Sequence, residues 1–154
     1  MRTNKKNSGF TLVEILIVVV ILGILAAIVI PQFSQASTEA RENRMRADLQ
    51  TTRSQIELYK IQHADGLPGA GTASLVAALT GQTDLAGAVS TASDAFGPYL
   101  QQIPVNPFSS TETIGRTITE GTTDPIAASA VAGWFFNTGD GAFMAVDHVD
   151  HLNW

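Results

Sequence analysis

The stretch GFTLVEILIVVVILGILAAIVI, residues 9–30, decides the fold of this chain. Of the 21 residues after its first glycine, only Thr11, Glu14 and Gly23 are not plainly apolar. A helix rises about 1.5 Å per residue, so about 20 apolar residues cover the roughly 30 Å of hydrocarbon in a bilayer. The sequence therefore predicts a membrane-spanning α-helix over residues 10–30.

A short basic segment, residues 1–9, precedes this helix. Its charges, Arg2, Lys5 and Lys6, have no acidic neighbour within the segment. Basic residues beside a span favour the cytoplasmic side, so we expect the N-terminus in the cytoplasm and the rest of the chain across the membrane. An ionised carboxylate inside a span costs about 2.5–3.5 kcal/mol at mid-membrane, so the glutamate in this helix indicates a function.

The segment resembles the leader and N-terminal helix of the type IV pilin and type II secretion pseudopilin superfamily, and most of all a major pseudopilin. Gly9 matches the last leader residue, after which the family's prepilin peptidase cleaves. Phe10 matches the first mature residue, which the same peptidase N-methylates. Glu14 matches the fifth mature residue, and Gly23 and Pro31 fall where the family's helix has its glycine and proline. The resemblance implies an assembly role for these last three residues.

The charges near the cleavage site suggest what that role requires. Cleavage after Gly9 would leave a cationic amine on Phe10, and Glu14 is the nearest charge that could pair with it. In a bundle of such helices, the carboxylate of one subunit can meet the amine of the next. Two buried charges would then fix the axial register of the subunits.

Two other interpretations of residues 1–30 compete with this one. An ordinary secretory signal would be cleaved near Ala26 and Ala27, and a plain single-pass anchor would tolerate a snorkelling Glu14. The apolar run, however, continues through residues 28–30, and a glutamate lies inside it.

Residues 31–154 number 124, enough for one small exported head domain in the periplasm. Without the three basic residues of the leader, six basic and fourteen acidic residues leave a formal net charge of −8. We therefore expect no nucleic-acid partner, because neutralisation of phosphates supplies most of that affinity. The chain has no cysteine, which excludes the disulfide loop that is common among type IV pilins and favours a pseudopilin.

The pattern beyond Pro31 predicts that the helix continues over residues 31–64. One face repeats at helical spacing and should be buried; it consists of Met45, Leu49, Thr52, Ile56 and Tyr59. The charged residues around it are predicted to form a solvated face with i,i+4 pairs; the basic ones are Arg41, Arg44, Arg46 and Arg53. His63 is predicted to interact locally with the end of this helix.

After the helix, Gly66 is predicted as its C-terminal cap, and a short helix is predicted over residues 72–81. A strand is predicted at Thr113–Ile118 and an aromatic hairpin at 133–146, around a Gly/Asp turn. The predicted fold class is α+β: a long N-terminal helix whose second half packs on a small antiparallel β-sheet, as in pilins.

Two later segments extend the resemblance or suggest a metal site. The loop around Pro104–Phe108 is similar to a proline-rich loop of major pseudopilins, with Asn106 in place of their usual aspartate. Because major pseudopilins bind calcium in this region, the resemblance makes Asp140, Asp147 and Asp150 calcium candidates, although no EF-hand spacing is present. A zinc pair of His148 and His151 has weaker support, since no third ligand is fixed by the sequence.

No cofactor or enzymatic activity is predicted, because no nucleophile motif or phosphate loop is present. The resemblance implies a structural subunit of a homopolymeric filament and favours the major pseudopilin of a type II protein secretion system. Its partners would be copies of itself, the inner membrane, the prepilin peptidase, minor pseudopilins and the secretion or pilus machinery. The alternative is a type IV pilin for motility, adhesion or DNA uptake.

Overall fold

The computed structural model describes residues 9–123, 125 and 132–154. The chain forms two compact units, the first ending at Ala40 and the second comprising Arg41–Trp154. The long helix α1, Leu12–Gln62, runs through both. It contains Pro31 without ending there and stops within two residues of the predicted end. The expected long N-terminal helix is confirmed.

In the first unit, the side chains of α1 are exposed on every face. This helix is long and apolar enough to cross a membrane. An all-round apolar surface is typical of a helix that lies in lipid or against other helices. The sequence pattern and the exposure therefore agree on a helix that needs apolar surroundings.

In the second unit, one face of α1 forms part of the core. The predicted stripe is confirmed, since all five of its residues are buried; they are Met45, Leu49, Thr52, Ile56 and Tyr59. Around them pack the aromatic residues of the head, among which Trp134, Phe136 and Phe143 are almost completely buried. Helical spacing thus predicted correctly which face of α1 the head covers.

The end of α1 differs from the predicted glycine cap. Ala64 and Asp65 adopt positive φ angles of 52° and 64°, and Gly66 does not. The main-chain N–H of Asp65 donates to the carbonyl of Lys60, and that of Gly66 donates to His63. The turn begins two residues before the glycine. A short helix α2 follows at Leu75–Thr80, with Ser74 as its N-cap.

The β-sheet has three strands in the order β1–β2–β3: Ile118–Gly121, Trp134–Asn137 and Phe143–Ala145. Strands β2 and β3 form the predicted antiparallel hairpin, with Phe135 opposite Met144. Strand β1, however, pairs parallel to β2, with Ile118 opposite Trp134. The sheet is therefore mixed, and the prediction of an antiparallel sheet was wrong in this respect.

The strand predicted at Thr113–Ile118 is also wrong. A one-turn helix, α3, forms at Glu112–Gly115, and β1 begins only at Ile118. The hydroxyl of Thr111 accepts a hydrogen bond from the main-chain N–H of Ile114 at 3.2 Å, which caps this turn. A local N-cap has overridden the β propensity of the Thr/Ile pattern. The 3₁₀ helix Val149–Asn153 completes the described part of the chain.

Candidate functional site

The N-terminal motif forms a capping box at the start of α1. The main-chain N–H and the hydroxyl of Thr11 both donate to Oε2 of Glu14, at 2.8 Å each. In return, the main-chain N–H of Glu14 donates to the hydroxyl of Thr11 at 3.2 Å. Threonine and glutamate three residues apart satisfy each other's N-terminal groups in this way. The T-x-x-E spacing of residues 11–14 is the sequence signal for this capping box.

The same geometry leaves part of the Glu14 carboxylate available. Both bonds from Thr11 go to Oε2, and Oε1 accepts no hydrogen bond from the residues that the structure describes. Phe10, the predicted new N-terminus, is 84% exposed and lies one residue before the capping threonine. Glu14 can therefore cap its own helix and still offer one oxygen to another cation.

The other predicted assembly residues lie further along the exposed part of α1. Gly23 has open space around it, because a Cβ built there would meet no atom within 4 Å. Pro31 lies inside the helix and is also exposed. Neither residue has a packing role within this unit, so both are available to a neighbouring helix.

In the head, a buried polar network surrounds Asp147. Its Oδ1 accepts a hydrogen bond from Nδ2 of Asn106 at 2.7 Å, and its Oδ2 lies 2.6 Å from Nδ1 of His151. The side chains of Asp147 and His151 are only 8% and 10% exposed. We call these three residues the C-terminal lock. A loop, the strand end and the 3₁₀ helix meet at this carboxylate.

Each calcium candidate has a hydrogen-bond or ion-pair partner of its own in this arrangement. Asp140 lies in the hairpin turn, where its Oδ1 accepts from the main-chain N–H of Ala142 at 2.8 Å. Asp150 is exposed, and both oxygens of Asp147 face N–H donors. Calcium prefers six to eight oxygen ligands. Within the described residues, no group of three or more His, Cys, Asp or Glu side chains could hold a metal ion.

The histidines suggested as a zinc pair have separate partners. The ring of His148 lies 5.5 Å from that of His151, measured between centroids. Nδ1 of His148 is 3.3 Å from the carboxylate of Asp150, whereas His151 belongs to the C-terminal lock. The two rings are neighbours, but no third side chain joins them as a ligand within the part of the chain that the structure describes.

The predicted i,i+4 pairs are present at 3.6 Å for Arg44 with Asp48 and for Arg46 with Glu42. Two arginines of α1, Arg46 and Arg53, also contact the head, which differs from the predicted solvated face. Arg53 donates from Nε to the carbonyl of Phe143 at 2.8 Å and from Nη2 to the main-chain oxygen of Trp154 at 2.5 Å. The guanidinium of Arg46 lies 3.9 Å from the ring centre of Trp154. Burial lowers the pKa of Arg53 from its ordinary value. The guanidinium of Arg53 has several N–H donors and can bind two main-chain oxygens at once. The helical spacing of the charged residues does not predict such a contact.

His63 also has a larger role than the predicted local one at the helix end. It is buried and stacks on Tyr59 with ring centroids 3.7 Å apart. Nδ1 contacts the carbonyl of Tyr59 and Nε2 contacts the hydroxyl of Thr83, both at 2.9 Å. His63 therefore ties the end of α1 to the loop that follows α2, so its role in this structure is to stabilise the head.

The comparisons with known proteins place the N-terminal segment in a class. Residues 4–30 match the family described as the prokaryotic N-terminal methylation motif. This match covers residues 4–9 of the leader and the whole apolar segment 10–30, and it includes Gly9, Phe10 and Glu14. The chain therefore carries a prepilin-type N-terminal motif.

The similar proteins include type II secretion proteins and a type IV pilin. "Type II secretion system core protein G" of Pseudomonas aeruginosa is 41% identical over 59 residues, which cover 38% of this chain and 42% of that protein. The Escherichia coli K12 protein of the same name is 35% identical over 81 residues, or 52% and 56% of the two chains. "Type IV major pilin protein PilA" of Myxococcus xanthus is 46% identical over 48 residues, or 31% and 22%.

The chain is thus homologous to type II secretion protein G and to type IV pilins, which confirms the resemblance drawn from residues 9–31. It spans about half the length of the protein G relatives that it matches. No solved structure matches the chain.

Proposed function

We propose that this protein is the major pseudopilin of a type II secretion system: a structural subunit, not an enzyme, that forms a filament through its N-terminal helix. The observation that carries the proposal is the Gly9–Phe10 junction followed by Glu14 in the first turn of an exposed apolar helix. The similarity to protein G of at least six bacteria supports the secretion branch of the superfamily.

The proposed assembly step uses the capping box. After cleavage behind Gly9, the amine of Phe10 carries a positive charge next to the first turn of its helix. Oε1 of Glu14 on a neighbouring copy accepts from that amine, while Oε2 remains bonded to its own Thr11. In lipid this contact removes two unpaired charges at once, so subunits in the correct register are favoured.

The helix also sets the proposed location. Residues 10–30 would anchor the subunit in the inner membrane, with the basic leader in the cytoplasm and the head in the periplasm. The prepilin peptidase would meet the junction at the cytoplasmic face, and minor pseudopilins and the secretion machinery would be partners of the assembled form. These expectations follow from the motif and the charge distribution.

The alternative is a type IV pilin, which the similarity to PilA of Myxococcus xanthus favours. Deleting the gene in its host separates the two functions. Loss of secreted proteins from the medium, with surface motility unchanged, is expected for the pseudopilin. Loss of motility, adhesion or DNA uptake with normal secretion would support the pilin and overturn the secretion assignment.

A further inference from the structure

The C-terminal lock has defined donors and acceptors, which the surrounding backbone fixes. Oδ1 of Asn106 accepts from the main-chain N–H of Phe108, and Nδ2 donates to the carbonyl of Gly133, at 2.9 Å each. Turning the amide over would set oxygen against oxygen at Gly133 and nitrogen against N–H at Phe108. The group of Asn106 that faces Asp147 is therefore the N–H donor.

His151 is fixed by the same reasoning. Its Nδ1 lies 2.6 Å from Oδ2 of Asp147, so this nitrogen carries a hydrogen that it donates to the carboxylate. The ring is held in place by Trp154 and Phe108, with centroids 4.2 and 5.1 Å away. Each oxygen of Asp147 thus faces an N–H group, which cannot ligate a cation and would repel one.

We propose that the C-terminal lock, and not a bound calcium ion, fastens residues 147–154 to the head of this protein. The imidazole N–H of His151 and the amide of Asn106 supply the positive ends of the dipoles that a carboxylate with 8% exposure needs. Asn106 is itself 1% exposed and has all its polar atoms bonded. A fully satisfied buried network is rigid and specifies one arrangement of the segments that it joins.

The C-terminal lock lies within the head, so its stabilising effect does not depend on filament formation. The secretion assignment is tested by deleting the gene, whereas the C-terminal lock is tested by the stability of the purified protein. Either hypothesis can therefore be wrong while the other remains correct. The lock links three segments that are distant in sequence, since Asn106 and Asp147 are 41 residues apart. Its loss should therefore loosen the end of the chain that also holds Trp154 against Arg46.

Thermal unfolding of the full chain in detergent tests the proposal. Wild-type protein should melt at the same temperature in millimolar calcium, in magnesium and in a chelator. Asp147→Asn and His151→Ala should each lower the melting temperature by about 5 °C or more, as expected for loss of a buried polar contact in a small domain. The matched control is Asp150→Asn, the same chemical change at an exposed aspartate, which should leave it unchanged.

Two further measurements keep the proposal open to refutation if a variant fails to fold. The double variant Asp147→Asn/His151→Ala should have a melting temperature close to those of the two single variants, because the second change removes a contact that the first has already lost. In wild-type protein, nitrogen-15 NMR should show His151 with its hydrogen on Nδ1 in slow exchange with water. A calcium-specific rise in melting temperature that Asp147→Asn abolishes, additive losses, or a hydrogen on Nε2 alone would each overturn the proposal.

Discussion

Thr11 and Glu14 close the first turn of α1 with reciprocal hydrogen bonds, in which Oε2 of the glutamate accepts both the N–H and the hydroxyl of the threonine. The glutamate thereby has two separable roles. Capping needs only a hydrogen-bond acceptor, whereas pairing with a neighbouring amine needs the negative charge. Glutamine retains the first role and loses the second, because either residue completes a capping box. This difference makes the proposed assembly step testable.

Glu14→Gln should leave membrane insertion intact and strongly reduce filaments, since the cap persists and the charge for the Phe10 amine is lost. Glu14→Ala should reduce filaments as well. The matched control is Thr11→Val, which removes the hydroxyl of the cap and keeps the carboxylate. Electron microscopy and sedimentation of sheared filaments measure the outcome. Normal filaments from Glu14→Gln would show that capping, not charge, is what Glu14 provides.

Replacing Gly9 with a bulky residue such as leucine should block or slow removal of residues 1–9, because the resemblance implies that the peptidase requires a small residue before Phe10. The mass of the membrane-extracted protein is the measurement. Wild-type protein should begin at Phe10 with one added methyl group. A retained leader in wild-type cells, or an N-terminus near Ala27, would contradict the prepilin assignment.

Leu49→Ala or Ile56→Ala should lower the free energy of unfolding of the head by about 2–5 kcal/mol, because each leaves a cavity in a core where both residues are 1% exposed. Ile61→Ala is the control on the same helix. That side chain is 76% exposed, so its loss should cost less than about 0.5 kcal/mol. Chemical unfolding of the full chain in detergent gives both values, and a reversed order would place the wrong face of α1 in the core.

Arg53→Ala should lower the free energy of unfolding by about 1.5–3 kcal/mol, because the guanidinium donates to the main-chain oxygens of Phe143 and Trp154. Arg53→Lys should recover only part of this loss, since an ammonium group lacks the planar fork. Arg41→Ala, at an exposed position of the same helix, is the control and should change the free energy of unfolding little. Equal stability of the Arg41 and Arg53 variants would show that the docking contact is not maintained in solution.

The tyrosines predict an alkaline limit to stability. Burial raises the pKa of Tyr99 from its ordinary value of 10 to about 12, and burial also raises the pKa of Tyr59. Between pH 10 and 12 the folded state therefore holds a proton that the unfolded state has lost. The contribution of Tyr99 to stability is complete below pH 10 and decreases as the pH rises toward 12.

Tyr99→Phe should therefore flatten the loss of stability over this pH range, although it also removes the 2.6 Å hydrogen bond to Gln62. Ultraviolet titration of the wild type offers an independent measurement. The chain has only these two tyrosines, so the folded protein should show little tyrosinate absorbance at pH 10. Half-ionised tyrosine at that pH in folded protein would contradict the prediction.

Features that depend on neighbours in the chain were predictable from the sequence. The apolar helix, its single glutamate, the stripe that includes Leu49 and Ile56, and the hairpin around the Gly139–Gly141 turn all follow from periods of 3.6 or 2 and from turn chemistry. The mixed strand directions of the sheet were not predictable from these local patterns. Parallel pairing of β1 with β2 is a contact between separate segments, and strand propensity does not encode the direction of pairing.

The sequence by itself determined a prepilin-type N-terminal motif, because Gly9, Phe10 and Glu14 lie within six consecutive residues just before and at the start of α1. Only the tertiary structure decided the roles of Arg53, Asp147 and His151. Arg53 binds an oxygen 101 residues away, and the carboxylate of Asp147 is held by an amide 41 residues away. The sequence pattern predicts that such charged side chains are exposed to solvent. Their burial and the orientation of their donors arise only when distant segments pack together.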